Sequence, residues 1–255
     1  MFNLINTLIN ISKKYPVEMI NGQLEDVKRI KYHIELVLRS IKYRPLNKMN
    51  ICDLGGGLGL FSVSCASIGF NRSVLVDDFK DYVNSKYGKT VLEVHRKHGV
   101  EIYSRDIIKR GICDIRGKFD VITTFDSMEH WHNSPKNLFN QVCKKLRPGG
   151  IFILGVPNCV NMRKRLSIPF GIGKWSQMNE WYEIDEFRGH VREADVEDLF
   201  YISKRLKLNN VKIYGRNWLG YSSKNKLIRI VTTIFDLPLQ MIPSLCSDIY
   251  MVSEK

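Results

Sequence analysis

The sequence predicts an α/β fold, a doubly wound and largely parallel sheet with helices on both faces. Three observations carry this expectation. Short apolar runs of strand character alternate with stretches of helical periodicity. The run Ile151 to Val156 is apolar throughout, as strands buried on both faces are. A glycine-rich turn, Gly55 to Gly59, stands where the first strand passes into a helix.

The elements follow in order. Apolar groups at 2, 4, 5, 8, 9 and 11 suit a short amphipathic helix. From Asp26 to Tyr43 the apolar positions 27, 30, 34, 37, 38 and 41 keep a helical period, and Arg44-Pro45 ends it. Met49 to Leu54 reads as a strand, Leu60 to Ile68 as a helix, Ser73 to Val76 as a strand and Tyr82 to His98 as a helix. Strands at Val100 to Tyr103 and Phe119 to Phe125 precede a helix near Pro135 to Leu146. Pro148-Gly149-Gly150 reads as a turn into the strand Ile151 to Val156. Residues 157–192 break the rhythm with Pro157, Pro169, Gly171, Gly173 and two tryptophans, and read as an insertion or lid. A helix at Ala194 to Leu206 and a strand at Val211 to Tyr214 resume it. Residues 223–243 read as partly helical and Ser247 to Val252 as a last strand.

At 255 residues the chain is expected to form one domain over 1–255. It comprises an N-terminal helical segment (1–48), a core (49–157), the insertion (158–192) and a C-terminal part of the sheet (193–255). A hydrophobic fraction of 44% with 25% charged residues excludes a disordered or fibrous chain. No apolar run approaches the roughly 20 residues of a transmembrane helix, and the start has no signal-peptide pattern. The six cysteines are scattered without a C-x-x-C pair and read as reduced thiols, so a cytoplasmic location is expected. The net charge of +13 favours anionic partners. The basic residues form no long block, so the excess reads as a basic soluble surface as readily as a functional patch. The apolar segments 2–11 and 223–243 leave a peripheral membrane or dimer contact open, with packing into the core the preferred reading. The oligomeric state is open.

The stretch Ile51-Cys52-Asp53-Leu54-Gly55-Gly56-Gly57-Leu58-Gly59 carries the chemistry. Its glycines fail the dinucleotide spacing G-x-G-x-x-G in every register, and no Gly-Lys-Ser/Thr follows, so the loop is expected to cradle something other than a pyrophosphate. Asp77 closes a strand and suits both hydroxyls of a ribose, with Asp78 beside it as the alternative. Asp106 follows the third strand. Either aspartate taken singly is also a common helix cap or turn residue.

The ordered set DLGGGLG, VLVDD, SRDI, FDVITTFDSMEH and LRPGGIFILGVPN resembles the class I S-adenosylmethionine-dependent methyltransferases. The resemblance is close over 49–157 and looser through Gly189-His190-Val191-Arg192-Glu193. It implies a Rossmann-like sheet of seven strands with the last antiparallel, and S-adenosyl-L-methionine as cofactor. Asp53, Gly55, Gly57 and Gly59 would line its methionine part and ribose, and Asp77 its ribose hydroxyls. Asp106 would bind the adenine amino group with the Ile107 backbone beside it, and Phe125 and Asp126 would flank the sulfonium and its amino group. The extra glycine, Gly56, departs from the family pattern.

The fourth-strand segment Phe125-Asp126-Ser127-Met128 lacks the Asn/Asp-Pro-Pro-Tyr/Phe of enzymes acting on planar nitrogens, and no cysteine follows a proline as cytosine C5 chemistry requires. The segment looks like the branch acting on small-molecule hydroxyls. The expected acceptor is a small molecule, anionic in one reading, such as a sugar or phosphorylated metabolite of surface-polysaccharide biosynthesis. A quinone or lipid precursor and RNA are the alternatives; with no RNA-binding module, nucleic acid is disfavoured. Candidate bases are His130, His132, Glu129 and His190, with His130 first because it follows the fourth strand. Arg192, Trp175, Trp181 and Tyr182 are candidates for holding the acceptor. His130-x-His132 and His95-x-x-His98 lack a clear third ligand, so no metal is expected.

Overall fold

The computed structural model of the chain describes residues 4–80, 82–173, 176, 178–221 and 223–255, with the side chains of 82–85 also left outside the description. The elements fall into two compact units: Met1–Thr124 with Lys136–Ile153 and Lys255, and Phe125–Pro135 with Leu154–Glu254.

The first unit opens with α1 (Leu4–Ser12) and α2 (Val17–Ser40). α1 buries Leu8 and Ile11, as packing into the core requires. α2 buries Val27, Ile30, Ile34 and Val37, one side of a 3.6-residue period. It starts well before Asp26 and stops at Ser40, short of Arg44-Pro45, because Lys42 and Tyr43 both turn into the left-handed region at φ 53° and 52°. Then come β1 (Asn50–Leu54), α3 (Leu60–Ser67), β2 (Arg72–Asp77), α4 (Tyr82–Lys97), β3 (Val100–Ser104), the short α5 (Ile107–Arg110), β4 (Phe119–Phe125), α6 (Lys136–Lys145) and β5 (Leu146–Pro157). β1 pairs in parallel with β2 and with β4, and β2 with β3.

One turn was misread. Pro148-Gly149-Gly150 lies inside β5, which begins at Leu146. Lys255 is the reason: its backbone donates to the Gly150 carbonyl and accepts from the Gly149 N–H, so the chain's last residue extends the ladder across the glycines.

The second unit carries α7 (Met162–Ser167), α8 (Met178–Glu183), α9 (Val196–Arg205), β6 (Asn209–Arg216), α10 (Trp218–Tyr221), α11 (Lys226–Gln240) and β7 (Asp248–Glu254). Asp195 and Asp198 form a capping box that sets the start of α9. β6 and β7 pair antiparallel. The seven strands take the order β3-β2-β1-β4-β5-β7-β6, so the expected mixed sheet is present, with the last strand in chain order antiparallel to its neighbour β6.

α11 departs from the packing expectation. Leu227, Val231, Ile234, Phe235, Leu237 and Met241 on and just past it are 45–83% exposed. The residue it buries is Asp236. That carboxylate accepts from Asn217 Nδ2 at 2.9 Å, Tyr221 Oη at 3.1 Å and Gln240 Nε2 at 2.7 Å. The helix is anchored by a buried polar network, and its apolar face is left to solvent. Among the described residues no helix is long and apolar enough to cross a membrane.

Candidate active site

In the first unit, three acids stand at or just past the carboxyl ends of parallel strands, the edge where ligands bind in such sheets. Asp53 on β1 is 2% exposed and accepts from the Ser62 and Thr123 hydroxyls, each at 2.8 Å. Burial pushes its carboxyl up to about 6, against the lowering effect of those two hydrogen bonds.

The glycine loop is shaped around that buried acid. A Cβ on Gly56 would stand 2.1 Å from Asp53 Oδ2, so only glycine fits there. The extra central glycine of the sequence is therefore a steric consequence of burying Asp53. Gly57 sits at φ +53° with no atom within 4 Å of the place a Cβ would take, so its open side is bare backbone. Gly59 precedes α3, and its carbonyl lies 3.3 Å from the Tyr15 hydroxyl and 3.2 Å from His95 Nε2. His95 is thus a buried structural histidine.

Asp77 ends β2. Its Oδ2 accepts from the Gly57 N–H at 3.0 Å and its Oδ1 from the Phe79 N–H at 2.7 Å. Both oxygens are held in place by these backbone groups. Asp78 accepts from the Lys80 N–H instead. Asp106 is the N-cap of α5, its Oδ1 accepting from the Ile108 and Lys109 N–H groups at 3.0 Å each, and Ile107 is buried beneath it. The capping role occupies Oδ1, while Oδ2 lies 3.7 Å from Lys109 Nζ.

In the second unit, Phe125 packs against Tyr250 with ring centroids 6.1 Å apart. Asp126 follows at φ 49°, a left-handed conformation rare for a residue with a side chain, and its N–H donates to the Gly155 carbonyl at 3.0 Å. A short 3-10 turn, Met128–His130, comes next.

There the structure assembles a cluster. The Glu129 carbonyl accepts from the Val191 N–H at 2.7 Å and the Arg192 N–H at 3.2 Å, which ties the Gly189–Glu193 segment to the end of β4. The His130 and His190 rings meet edge to face at 4.9 Å. His130 Nδ1 lies 2.7 Å from the Arg188 carbonyl and His190 Nδ1 lies 2.8 Å from Glu193 Oε1. A carbonyl and a carboxylate only accept, so both Nδ1 atoms carry a proton, and in a neutral ring the lone pair then lies on Nε2. Burial holds the His130 imidazole below its ordinary pKa. Glu193 is shared with the Lys164 ammonium, both nearly buried. Burial alone would raise its carboxyl, but the hydrogen bonds from His190 and Lys164 leave it below its usual value. Glu129 is 1% exposed; burial first, then the nearby Asp126, Glu193 and Asp248, push its carboxyl up to about 9.

The structure thus brings His130, His190 and Glu129 together and leaves other candidates out. His132 is exposed and outside the cluster. Arg192 is two-thirds exposed and pairs with Asp198 at 3.1 Å, a carboxylate of its own chain. Trp181 and Tyr182 stand exposed on α8. Trp175 lies outside the described residues. Glu193 and Lys164 were missed as members of the site. The G-H-V-R-E spelling held the signal for Glu193, three residues from His190; Lys164 had none.

Residues 27–212 match the profile of a family described as a methyltransferase domain. The chain belongs to that family, within the class I S-adenosylmethionine-dependent methyltransferases. Among curated proteins it is 28% identical over 157 residues to a ubiquinone biosynthesis O-methyltransferase of Rickettsia prowazekii, covering 60% of this chain and 57% of that one. It is 23% identical over 135 residues to the mitochondrial ubiquinone biosynthesis O-methyltransferase of Dictyostelium discoideum, covering 51% and 42%. The match therefore spans about half the length of the curated relatives. Among solved structures, an S-adenosylmethionine-dependent methyltransferase from Mesorhizobium loti aligns at TM-score 0.55 and 15% identity, covering 86% of this chain and 96% of that one. A putative sarcosine dimethylglycine methyltransferase from Galdieria sulphuraria aligns at 0.57 and 11%, covering 94% and 91%. These likenesses show the fold.

The family's cofactor fits the residues present. The bare backbone at Gly57 leaves room for close approach, and Asp77 presents a fixed carboxylate beside it.

The buried acid makes a pH prediction. Asp53 is protonated in the folded chain up to about pH 6 and in the unfolded chain only up to the ordinary carboxyl value of 3.8. The stability its proton confers is full below pH 3.8 and is lost as pH rises through about 6. At 1.36 kcal/mol per pH unit the loss is about 3 kcal/mol. Thermal melts of the cofactor-free protein should show Asp53→Asn gaining on the parent between pH 4 and 6.5. A constant difference across that range would contradict the assignment.

Proposed function

We propose that this chain transfers the methyl group of S-adenosylmethionine to a hydroxyl of a small-molecule acceptor. The observation that carries the reading is the pair of imidazoles, with His130 just past β4, His190 packed against it, and each Nδ1 engaged with an acceptor.

The cofactor supplies an electrophilic methyl group on a sulfonium. Asp77 would hold its ribose hydroxyls, Asp106 its adenine amino group, and the loop from Gly55 to Gly59 with Asp53 its methionine part. Holding donor and acceptor in line supplies roughly 7–11 kcal/mol of the barrier reduction. A base that takes the hydroxyl proton adds about 10²–10⁴-fold, or roughly 3–5 kcal/mol. His130 takes that role first. The imidazole would take the proton of the acceptor hydroxyl as its oxygen receives the methyl group, the cofactor leaving as the neutral thioether. His190 is the reserve, its tautomer set by Glu193.

For the acceptor, two observations favour a quinone-type precursor: the names of the curated relatives and the exposed apolar face of α11, which suits an acceptor handled at a bilayer surface. A sugar or phosphorylated metabolite, as in surface-polysaccharide biosynthesis, is the second reading, supported by the exposed Trp181 and Tyr182. The test is mass spectrometry of products formed from isotope-labelled S-adenosylmethionine with phenolic quinone precursors, nucleotide sugars, phosphorylated metabolites and RNA. A labelled methyl ether on a phenolic precursor supports the first reading. RNA that is bound and methylated at physiological salt, with a steep salt dependence of binding, would overturn the small-molecule assignment.

The α11 face makes a separate prediction. The protein should float with vesicles containing anionic lipid, and Ile234→Asp with Phe235→Asp should abolish flotation while leaving the melting profile intact. A parent protein that ignores vesicles would remove the bilayer contact from the proposal.

A further inference from the structure

Glu129 is the anomaly of the second unit. It is 1% exposed, and its Oε2 has no hydrogen-bond partner among the described residues. A buried carboxyl oxygen left without a donor costs about 1–3 kcal/mol or more, so something that binds it is expected. Its other oxygen, Oε1, faces His130 Nε2 at 3.9 Å and His190 Nε2 at 4.0 Å. These spans are too long for hydrogen bonds. They are close to what two ligands of one metal ion show: at about 2.1 Å from a tetrahedral zinc, neighbouring donor atoms lie about 3.4 Å apart. A movement of about half an ångström closes the difference.

The surrounding hydrogen bonds match that use. Each imidazole spends its Nδ1–H on a fixed acceptor, the Arg188 carbonyl for His130 and the Glu193 carboxylate for His190. That is the outer arrangement which orients metal-binding histidines and raises their basicity. Glu193 is itself steadied by Lys164.

We propose that Glu129, His130 and His190 form a binding site for one divalent transition-metal ion of the zinc type. Two imidazoles and a carboxylate suit such an ion better than magnesium or calcium, which prefer oxygen ligands. Three protein ligands leave a position for the acceptor's oxygen. This rests on the cluster being the acceptor end of the enzyme, and it assigns to a cation the activation of the hydroxyl otherwise given to an imidazole. It also reverses the expectation of no metal: His132 is not a ligand, and the two partners His130 needs are Glu129 beside it and His190 far along the chain.

The test needs no methyl acceptor. Zinc is titrated calorimetrically into chelator-treated full-length protein whose affinity for S-adenosylmethionine is measured alongside. One tight equivalent is expected. His130→Ala and His190→Ala should each weaken it at least 10²-fold, and Glu193→Gln by about 10–100-fold. His132→Ala should leave it unchanged. In the unsubstituted protein, Co²⁺ should broaden the imidazole resonances of His130 and His190 and spare those of His95. The proposal is overturned if no stoichiometric zinc binds, if His132→Ala weakens zinc as much as His130→Ala does, or if Co²⁺ leaves both resonances sharp. Where chelated protein binds no zinc yet still methylates, and His130→Ala abolishes methylation, the metal falls and the methyltransferase reading stands with the imidazole as the base.

Discussion

Asp77→Ala is expected to lower the affinity for S-adenosylmethionine by about 10²-fold or more. Two hydrogen bonds from ribose hydroxyls to a charged carboxylate are worth roughly 1.5–3 kcal/mol each, and every 1.4 kcal/mol is tenfold. The effect is enlarged by what the carboxylate does inside the protein. It holds the Gly57 N–H at 3.0 Å and the Phe79 N–H at 2.7 Å, so its removal also frees the glycine loop and the turn after β2. Asp78→Ala should matter much less, because that side chain accepts from the Lys80 N–H just past the strand. Calorimetric titration of the two variants separates the neighbouring acids. Parental affinity in Asp77→Ala would show that the ribose is held elsewhere.

The second large effect is on turnover. His130→Ala should slow methyl transfer by about 10²–10⁴-fold while leaving cofactor affinity nearly unchanged. The split between the two readouts is the informative part. The His130 ring is engaged with the Arg188 carbonyl and with His190, whereas the glycine loop is organised by Asp53 and Asp77. A variant that lost both activities would point to collapse of the Gly189–Glu193 segment rather than to loss of a reacting group. Should His130→Ala turn over normally and His190→Ala not, the role passes to the imidazole backed by Glu193.

Much of this protein was legible before any coordinate. The bounds of β4, Phe119–Phe125, agree with the sequence reading, and those of α3 and β3 agree to within a residue. Local periodicity and glycine spacing are properties of neighbouring residues, and they determine where a strand stops and a helix begins. The acids Asp53, Asp77 and Asp106 were legible for the same reason, since each lies at or next to a strand end.

Other features are decided only by residues distant in sequence. Gly149 and Gly150 look like a turn until Lys255 pairs with them. The meaning of Gly56 depends on how deeply Asp53 is buried. α11 has the pattern of a core helix, yet the network on Asp236 orients it with its apolar side outward. The cluster of Glu129, His130 and His190 is the strongest case. Glu129 and His130 are adjacent in the chain, but the Val191 and Arg192 N–H groups must reach the Glu129 carbonyl before His190 meets them. Sequence alone determined which chemical groups this protein owns and the edge of the sheet they occupy. The tertiary structure decided which of them are desolvated together, because burial and ring orientation depend on packing between segments that share no local pattern.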